Sequence, residues 1–232
     1  GKLDDAKTEI VEILEEKGLT EANLGIEVNH LIACYYEELQ KRMPKCSVAS
    51  ADDFFDEVRK VKTQAEVTLM QVAARTTERA IREGYEASRI GSTERETALR
   101  IINRLLGGGA DSMRFMVLGA GDNSALAHHI PTDRRIKTGD TVRLDCGGYF
   151  NGYASDIARM AFGGKPSSAQ LDLYRRIYEI HQETIEAVRP GARACDVYHA
   201  CAQAFEKRGL ALIGPHVGHG FGVSGGHEEP ML

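Results

Sequence analysis

The stretch Leu144-Asp145-Cys146-Gly147-Gly148-Tyr149-Phe150-Asn151-Gly152-Tyr153-Ala154-Ser155-Asp156 decides how this chain is read. Thr141-Val142-Arg143-Leu144 runs into it with β-branched and apolar residues, and Tyr153 to Phe162 runs out with Ile157, Met160 and Phe162 as apolar positions. Asn151-Gly152 is a hairpin-turn pair. The segment reads as two antiparallel strands with one carboxylate on each. Two registers are open. A four-residue loop over residues 149–152 sets Asp145 opposite Asp156; a two-residue turn sets Asp156 opposite Gly147 and makes Asp145 its diagonal neighbour. Strand side chains alternate, so both carboxylates face one side in either register. Like charges across a ladder destabilise it. A shared proton or a bound cation relieves the repulsion, and paired carboxylates suit hard or borderline divalent ions. The plainer alternative is that both splay into solvent on an exposed hairpin.

With 232 residues, 42% of them hydrophobic, the chain can bury a sizeable core. A net charge of −5 gives no reason to expect nucleic-acid binding. No apolar run approaches membrane-spanning length and no signal-peptide pattern opens the chain. The opening Gly1-Lys2-Leu3-Asp4-Asp5 has no initiator Met and reads as the middle of a protein. Five cysteines, at 34, 46, 146, 195 and 201, are odd in number and lack zinc-like spacing. They read as small buried apolar residues of a reduced, cytoplasmic protein.

Residues 3–18 predict an amphipathic helix with Ile10, Val11, Ile13 and Leu14 inward, ended by Gly18. Asn23 to Val28 reads as a strand, His30 to Arg42 as a helix stopped by Pro44, and Ala51 to Val61 as a short acidic helix. This opening resembles part of an α/β domain with too few strands to stand alone. A long helix over Thr63–Ser88 follows. Thr93 with Glu96 predicts a capping box for the next helix, ended by Gly107-Gly108-Gly109. Phe115 to Leu118 reads as a strand, and a loop leads to His128-His129 and the carboxylate hairpin. The order helix, helix, strand then recurs: Pro166-Ser167-Ser168 starts one helix, Asp196 is the expected cap of the next, and Ala211-Leu212-Ile213 begins a strand. The chain thus reads as two structural halves, the second without its hairpin.

Three histidines, His216, His219 and His227, crowd 12 glycine-rich residues. Glycine lets backbone approach a ligand closely, and neutral imidazole binds transition metals. His128 and His129 lie in a loop before a strand; adjacent strand residues face opposite ways, so at most one is expected to join a site.

The set Asp145, Asp156 eleven on, His219 a further 63 on, and His128 17 before Asp145 resembles the metal-dependent aminopeptidases of the pita-bread fold. That family includes methionine aminopeptidase, Xaa-Pro aminopeptidase, prolidase and the metal-free creatinase. Asp-Cys-Gly…Gly-Tyr-Ala-Ser-Asp-Ile-Ala-Arg is similar to the family's first ligand hairpin, and Gly-His-Gly-Phe-Gly with His-Glu-Glu-Pro to its third-ligand segment. Gly25-Ile26-Glu27 and Asp56 to Thr63 are similar to the join between a creatinase-type N-terminal domain and the catalytic domain. The resemblance therefore favours the Xaa-Pro aminopeptidase/prolidase branch. It implies an α+β pita-bread fold over residues 61–232, truncated, preceded in residues 1–60 by a remnant of an α/β N-terminal domain. It further implies two divalent ions (Mn, Co or Zn) held by Asp145, Asp156 and His219. His128 and His227 are implied as catalytic residues, the first near the leaving end and the second at the oxyanion, with His216 binding substrate. The expected reaction is hydrolysis of the N-terminal amide bond of peptides with proline in second position, by hydroxide held between the two ions, in a homodimer that binds neither nucleic acid nor membrane.

Two departures stand out. The family places two glutamate ligands after the His-Glu-Glu-Pro segment, and the chain stops at Leu232 before either, so a fragment with weak metal binding and little hydrolysis is expected. His227 lies eight after His219 where seven is usual, with one extra residue in Val223-Ser224-Gly225-Gly226. Alternatives are a hydrolase or lyase of a small zwitterionic metabolite on the same scaffold, and a non-catalytic peptide-binding relative. Fold alone does not choose among these.

Overall fold

The computed structural model describes residues 3–223 and 226–232, with side chains from residue 8 onward. Ser224 and Gly225, within the stretch holding the extra residue, lie outside the described residues. The chain divides into two compact units, Gly1–Val61 and Lys62–Leu232.

The first unit runs α1 (Leu3–Glu16), β1 (Asn23–Ile26), α2 (Ala33–Arg42), β2 (Ser47–Ser50) and α3 (Asp52–Lys60). Gly18, at φ +67°, ends the segment after α1. Val11 is buried against Leu39 and Met43, with Leu14, Leu24, Ile26, Cys46 and Val48 around them. Ile10 and Ile13, expected inward, are exposed at 40% and 49%. The sequence reading missed β2, which pairs in parallel with β1 from Asn23↔Ser47 to Ile26↔Ser50. Only four residues long and half of them serine, Ser47-Val48-Ala49-Ser50 carries no strand signal of its own. Its backbone pairing and the packing of Val48 define it.

The second unit opens with α4 (Gln64–Glu86) and α5 (Glu94–Gly107). Each starts in a complete capping box, Thr63 with Glu66 and Thr93 with Glu96. The helices press close: a Cβ on Gly84 would lie 2.2 Å from Ile101 Cγ1. Next come β3 (Ser112–Ala120), a 3-10 turn (Gly121–Ala125), β4 (Thr141–Phe150), β5 (Tyr153–Ala154) and β6 (Ile157–Phe162). β4 is central, antiparallel to β3 on one side and to β5 and β6 on the other. Its alternate residues Val142, Leu144 and Cys146 are buried with Ile81, Ala98, Ile101 and Leu118. Period two therefore turns Arg143 and Asp145 to the opposite face of the sheet.

The remaining elements are α6 (Ser168–Ala187), α7 (Ala194–Lys207), β7 (His219–Gly220) and β8 (Glu228–Met231). Ser167 caps α6 as expected, in a box with Gln170. Asp196 does not cap α7: the N-cap is Arg193, and Asp196 lies inside the first turn, gripped by both Arg193 Nε and Nη2 at 2.9 and 2.7 Å. Nor is Ala211-Leu212-Ile213 a strand. Leu212 packs onto the α6–α7 core around Ile180, Cys201 and Ala204, while Ile213 is 92% exposed. No strand pairs with this segment among the described residues, so its apolar character does not become sheet. Lys62 and Glu228 form a buried ion pair at 2.6 Å, tying the start of this unit to β8.

Candidate metal centre

Asn151 and Gly152 have φ of +50° and +83°. Positive φ at both central residues makes a two-residue type I′ turn. Phe150 pairs with Tyr153 and Tyr149 with Ala154, and the same register continues from Cys146↔Ile157. Of the two registers open to the sequence, the two-residue turn holds, so Asp145 is the diagonal neighbour of Asp156. Opposite Asp156, Gly147 has no room for a side chain: a Cβ there would lie 1.9 Å from the Ser155 carbonyl oxygen. Ser155 is buried and satisfied. Its N–H donates to Gly148 O at 2.9 Å, its Oγ accepts from Gly148 N at 3.0 Å, and Thr77 Oγ1 lies 2.7 Å away. These bonds fix the break between β5 and β6 from which Asp156 projects.

The two carboxylates differ in their partners. Among the described residues, Asp145 Oδ1 is buried with no hydrogen-bond partner. Burial, and then the neighbouring Asp156, push the Asp145 carboxyl above the usual carboxylate range. Asp156 Oδ2 instead accepts from Arg114 Nη1 at 2.7 Å and lies 3.8 Å from His219 Nε2. His219 Nδ1 lies 2.7 Å from Gly220 O. A carbonyl only accepts, so Nδ1 is the donor, and Nε2 is the ring nitrogen left facing Asp156.

The glycine-rich segment brings its three imidazoles together. His219 and His227 stack with centroids 3.8 Å apart, and His216 stands edge-on to both at 6.4 and 5.6 Å. β7 meets β8 through a register shift between His219 and Gly220. Partial burial, and then the imidazoles of His219 and His216, push His227 below the usual histidine range, toward the neutral form.

His128 and His129 lie in a turn and the irregular chain after it, not in a strand, and they point to different surroundings. His129 Nε2 bonds Glu94 Oε2 at 2.9 Å and is largely enclosed. His128 is exposed, and among the described residues no hydrogen bond or ion pair links it to the carboxylates. Its strap is tethered from the carboxylate face, where Arg143 donates to the carbonyls of Leu126 and Ala127 at 3.0 and 2.6 Å.

Sequence reasoning missed three residues here. Glu94, wholly buried, accepts from Ala120 N, Asn123 Nδ2, Thr132 N and Thr132 Oγ1, besides its contact with His129. It was hidden behind Glu96, which makes the capping box. Arg143 sits two before Asp145, so period two alone places it on the site face. Arg114 is the residue at the β3 bulge, where pairing shifts between Met113↔Gly148 and Phe115↔Gly147; no local signal marks a bulge.

The donor set fits a divalent ion in its chemistry. Among the described residues a buried carboxylate oxygen lacks a hydrogen-bond partner, a second carboxylate is adjacent, and an imidazole turns its Nε2 toward that second carboxylate. Two ligand bonds of about 2.1 Å span at most about 4.2 Å, so the 3.8 Å between His219 and Asp156 can admit one. Among the described residues, however, no three His, Cys, Asp or Glu side chains stand close enough to grip an ion as they are.

The sequence pattern of metallopeptidase family M24 matches residues 68–232. The chain belongs to this family. It is 30% identical over 226 residues to the Xaa-Pro dipeptidase of Pyrococcus furiosus, covering 97% of this chain and 63% of that protein. The prolidase structure from Pyrococcus furiosus superposes with a TM-score of 0.82 at 29% identity, covering 90% of this chain and 62% of that one. An X-Pro aminopeptidase structure from Thermotoga maritima MSB8 gives 0.87 at 22% identity, covering 97% and 64%, a likeness of fold alone. The chain thus spans somewhat under two thirds of the length of these relatives. The α+β pita-bread fold implied by the sequence resemblance is the fold of this M24 chain. No helix among the described residues is long and apolar enough to cross a membrane.

Proposed function

We propose that this M24 chain serves a metal-dependent aminopeptidase or dipeptidase that hydrolyses the N-terminal amide bond of Xaa-Pro peptides. The observation that carries the reading is the partly buried Asp145 carboxylate, whose enclosed Oδ1 has no hydrogen-bond partner among the described residues, beside Asp156 and on the face bounded by His219. An isolated buried charge is costly, and a divalent ion is the partner that two such acids suit. We assign Asp145, Asp156 and His219 as ligands of two divalent ions, Mn, Co or Zn. Such ions would polarise the scissile carbonyl and acidify a water.

The other roles fall to the histidines. His227, kept toward neutrality by partial burial and then by its neighbouring imidazoles, offers an N–H to the oxyanion that develops as the carbonyl is attacked. His128, on a strap held from two sides, meets the leaving end of the substrate and relays its proton. His216, edge-on to both other rings, lines the proline side. We read residues 1–60 as the C-terminal part of a creatinase-type N-terminal domain and residues 61–232 as catalytic. The protein is read as a cytoplasmic homodimer; five free cysteines agree with a reducing compartment.

Proline release from Xaa-Pro dipeptides, with longer Xaa-Pro peptides alongside, tests the reading on the full-length protein with Mn²⁺. The expected result is metal-dependent release that falls about 10²-fold or more in Asp156→Asn. Equal release by wild type and variant, or none with Mn²⁺, contradicts it.

A further inference from the structure

We propose that Arg114 is a built-in counter-cation of the carboxylate pair: it neutralises Asp156 in the metal-free protein and competes with a divalent ion for that carboxylate. The proposal rests on the reading of Asp156 as a metal ligand.

The backbone explains how an arginine reaches this place. In regular β3 the neighbours Arg114 and Phe115 would face opposite sides of the sheet. The bulge between Met113 and Phe115 sets two residues of β3 against one of β4. Such an irregularity re-aims a side chain. Phe115 pairs with Gly147, on the face that carries Asp145, and Arg114 joins it there.

The guanidinium is enclosed and held on three sides. Its side chain is 8% exposed. Nη1 donates to Asp156 Oδ2 at 2.7 Å, Nη2 donates to Gly226 O at 3.1 Å, and Cζ lies 5.1 Å over the Phe115 ring. Asp156 Oδ2 is also the oxygen 3.8 Å from His219 Nε2. The guanidinium therefore sits on the oxygen through which an ion shared by Asp156 and His219 must bind.

Charge counting points the same way. Asp145 and Asp156 contribute two negative charges to this face; Arg114 and Arg143 contribute two positive ones. Arg114 offsets the charge of Asp156 directly, whereas Arg143 spends its donors on the strap carbonyls and leaves Asp145 Oδ1 without a hydrogen-bond partner among the described residues.

A rival role predicts the opposite sign. An arginine that merely orients a ligating carboxylate raises metal affinity, and its loss weakens binding 10–100-fold. A competing cation lowers affinity, and its loss tightens binding. Calorimetric titration of the whole chain with Mn²⁺ decides between them. Arg114→Met is expected to bind about tenfold tighter than wild type, and Arg114→Lys to stay within about threefold of it, since the charge remains. Without metal, Arg114→Met is expected to melt lower than wild type, and that deficit should shrink when Asp156→Asn is added, because the charge to be neutralised is gone. Unchanged or weaker Mn²⁺ binding in Arg114→Met overturns the competition while leaving the metal reading intact. No Mn²⁺ binding by wild type or variant overturns both. A melting deficit that persists in full beside Asp156→Asn overturns the counter-ion role.

Discussion

Two carboxylates of the second unit, the wholly buried Glu94 at the start of α5 and the partly buried Asp145 in the middle of β4, meet the same physical problem in opposite ways. Glu94 has no solvent exposure, yet four donors and the His129 ring surround its two oxygens. Burial alone would push its carboxyl up; the bonds from Thr132, His129, Ala120 and Asn123 outweigh that and hold it down at about 2. Asp145 has burial without such donors. One oxygen has no hydrogen-bond partner among the described residues, a second carboxylate is adjacent, and its carboxyl is pushed up. A buried acid that is fully bonded is architecture. One left short of partners beside a like charge marks a place for something from outside the chain. Glu94 buckles the strap that carries His128, and Asp145 faces the space that strap borders.

The largest effect expected from breaking this contrast is at Glu94. Glu94→Ala strips partners from the buried groups around it, and urea unfolding should show a loss of about 3–5 kcal/mol. A loss under about 1 kcal/mol would place the anchor of the strap elsewhere. The same residue gives the contrast a pH signature. Its folded value is depressed, so its contribution is complete above its ordinary value of 4.5 and disappears as pH falls toward about 2. Asp145 has the opposite sign: its folded value is raised, so it costs stability at neutral pH and that cost fades on acidification. Comparing Glu94→Gln with wild type between pH 4.5 and 2 should therefore flatten the acid limb of the stability curve.

Asp145→Asn should raise metal-free stability at pH 7 by about 1–2 kcal/mol, because a buried charge beside a like charge is removed. A drop in stability would show that Asp145 already has a compensating partner. The smallest effect belongs to the turn that sets the carboxylates' register. Gly152→Ala forces a Cβ onto a residue at φ +83° and should cost about 1 kcal/mol in thermal or urea unfolding while leaving the diagonal pairing in place.

Much of this was legible in the chain. Asn151-Gly152 announced the hairpin, Thr93 with Glu96 the cap, and alternation put Asp145 and Asp156 on one face, because these signals are local and their period is short. What escaped depends on partners far along the chain. Glu94 is defined by groups 26 to 38 residues away, and Arg114 by a strand irregularity that only pairing reveals. The strand expected at Ala211–Ile213 failed because apolar residues need a partner strand as well as a core, and β2 appeared because a partner was there. Asp196 misled because an acid in the first turn of a helix satisfies the dipole as readily as an N-cap does, and Arg193 held it inside.

The central claim is that the acids at Asp145 and Asp156 are completed by divalent ions, and thermal unfolding with and without saturating Mn²⁺ tests it most directly. An ion that binds only the folded chain raises its melting temperature. The account predicts a clear rise for wild type and none for Asp145→Asn. An equal rise in both proteins, or none in wild type, would contradict it.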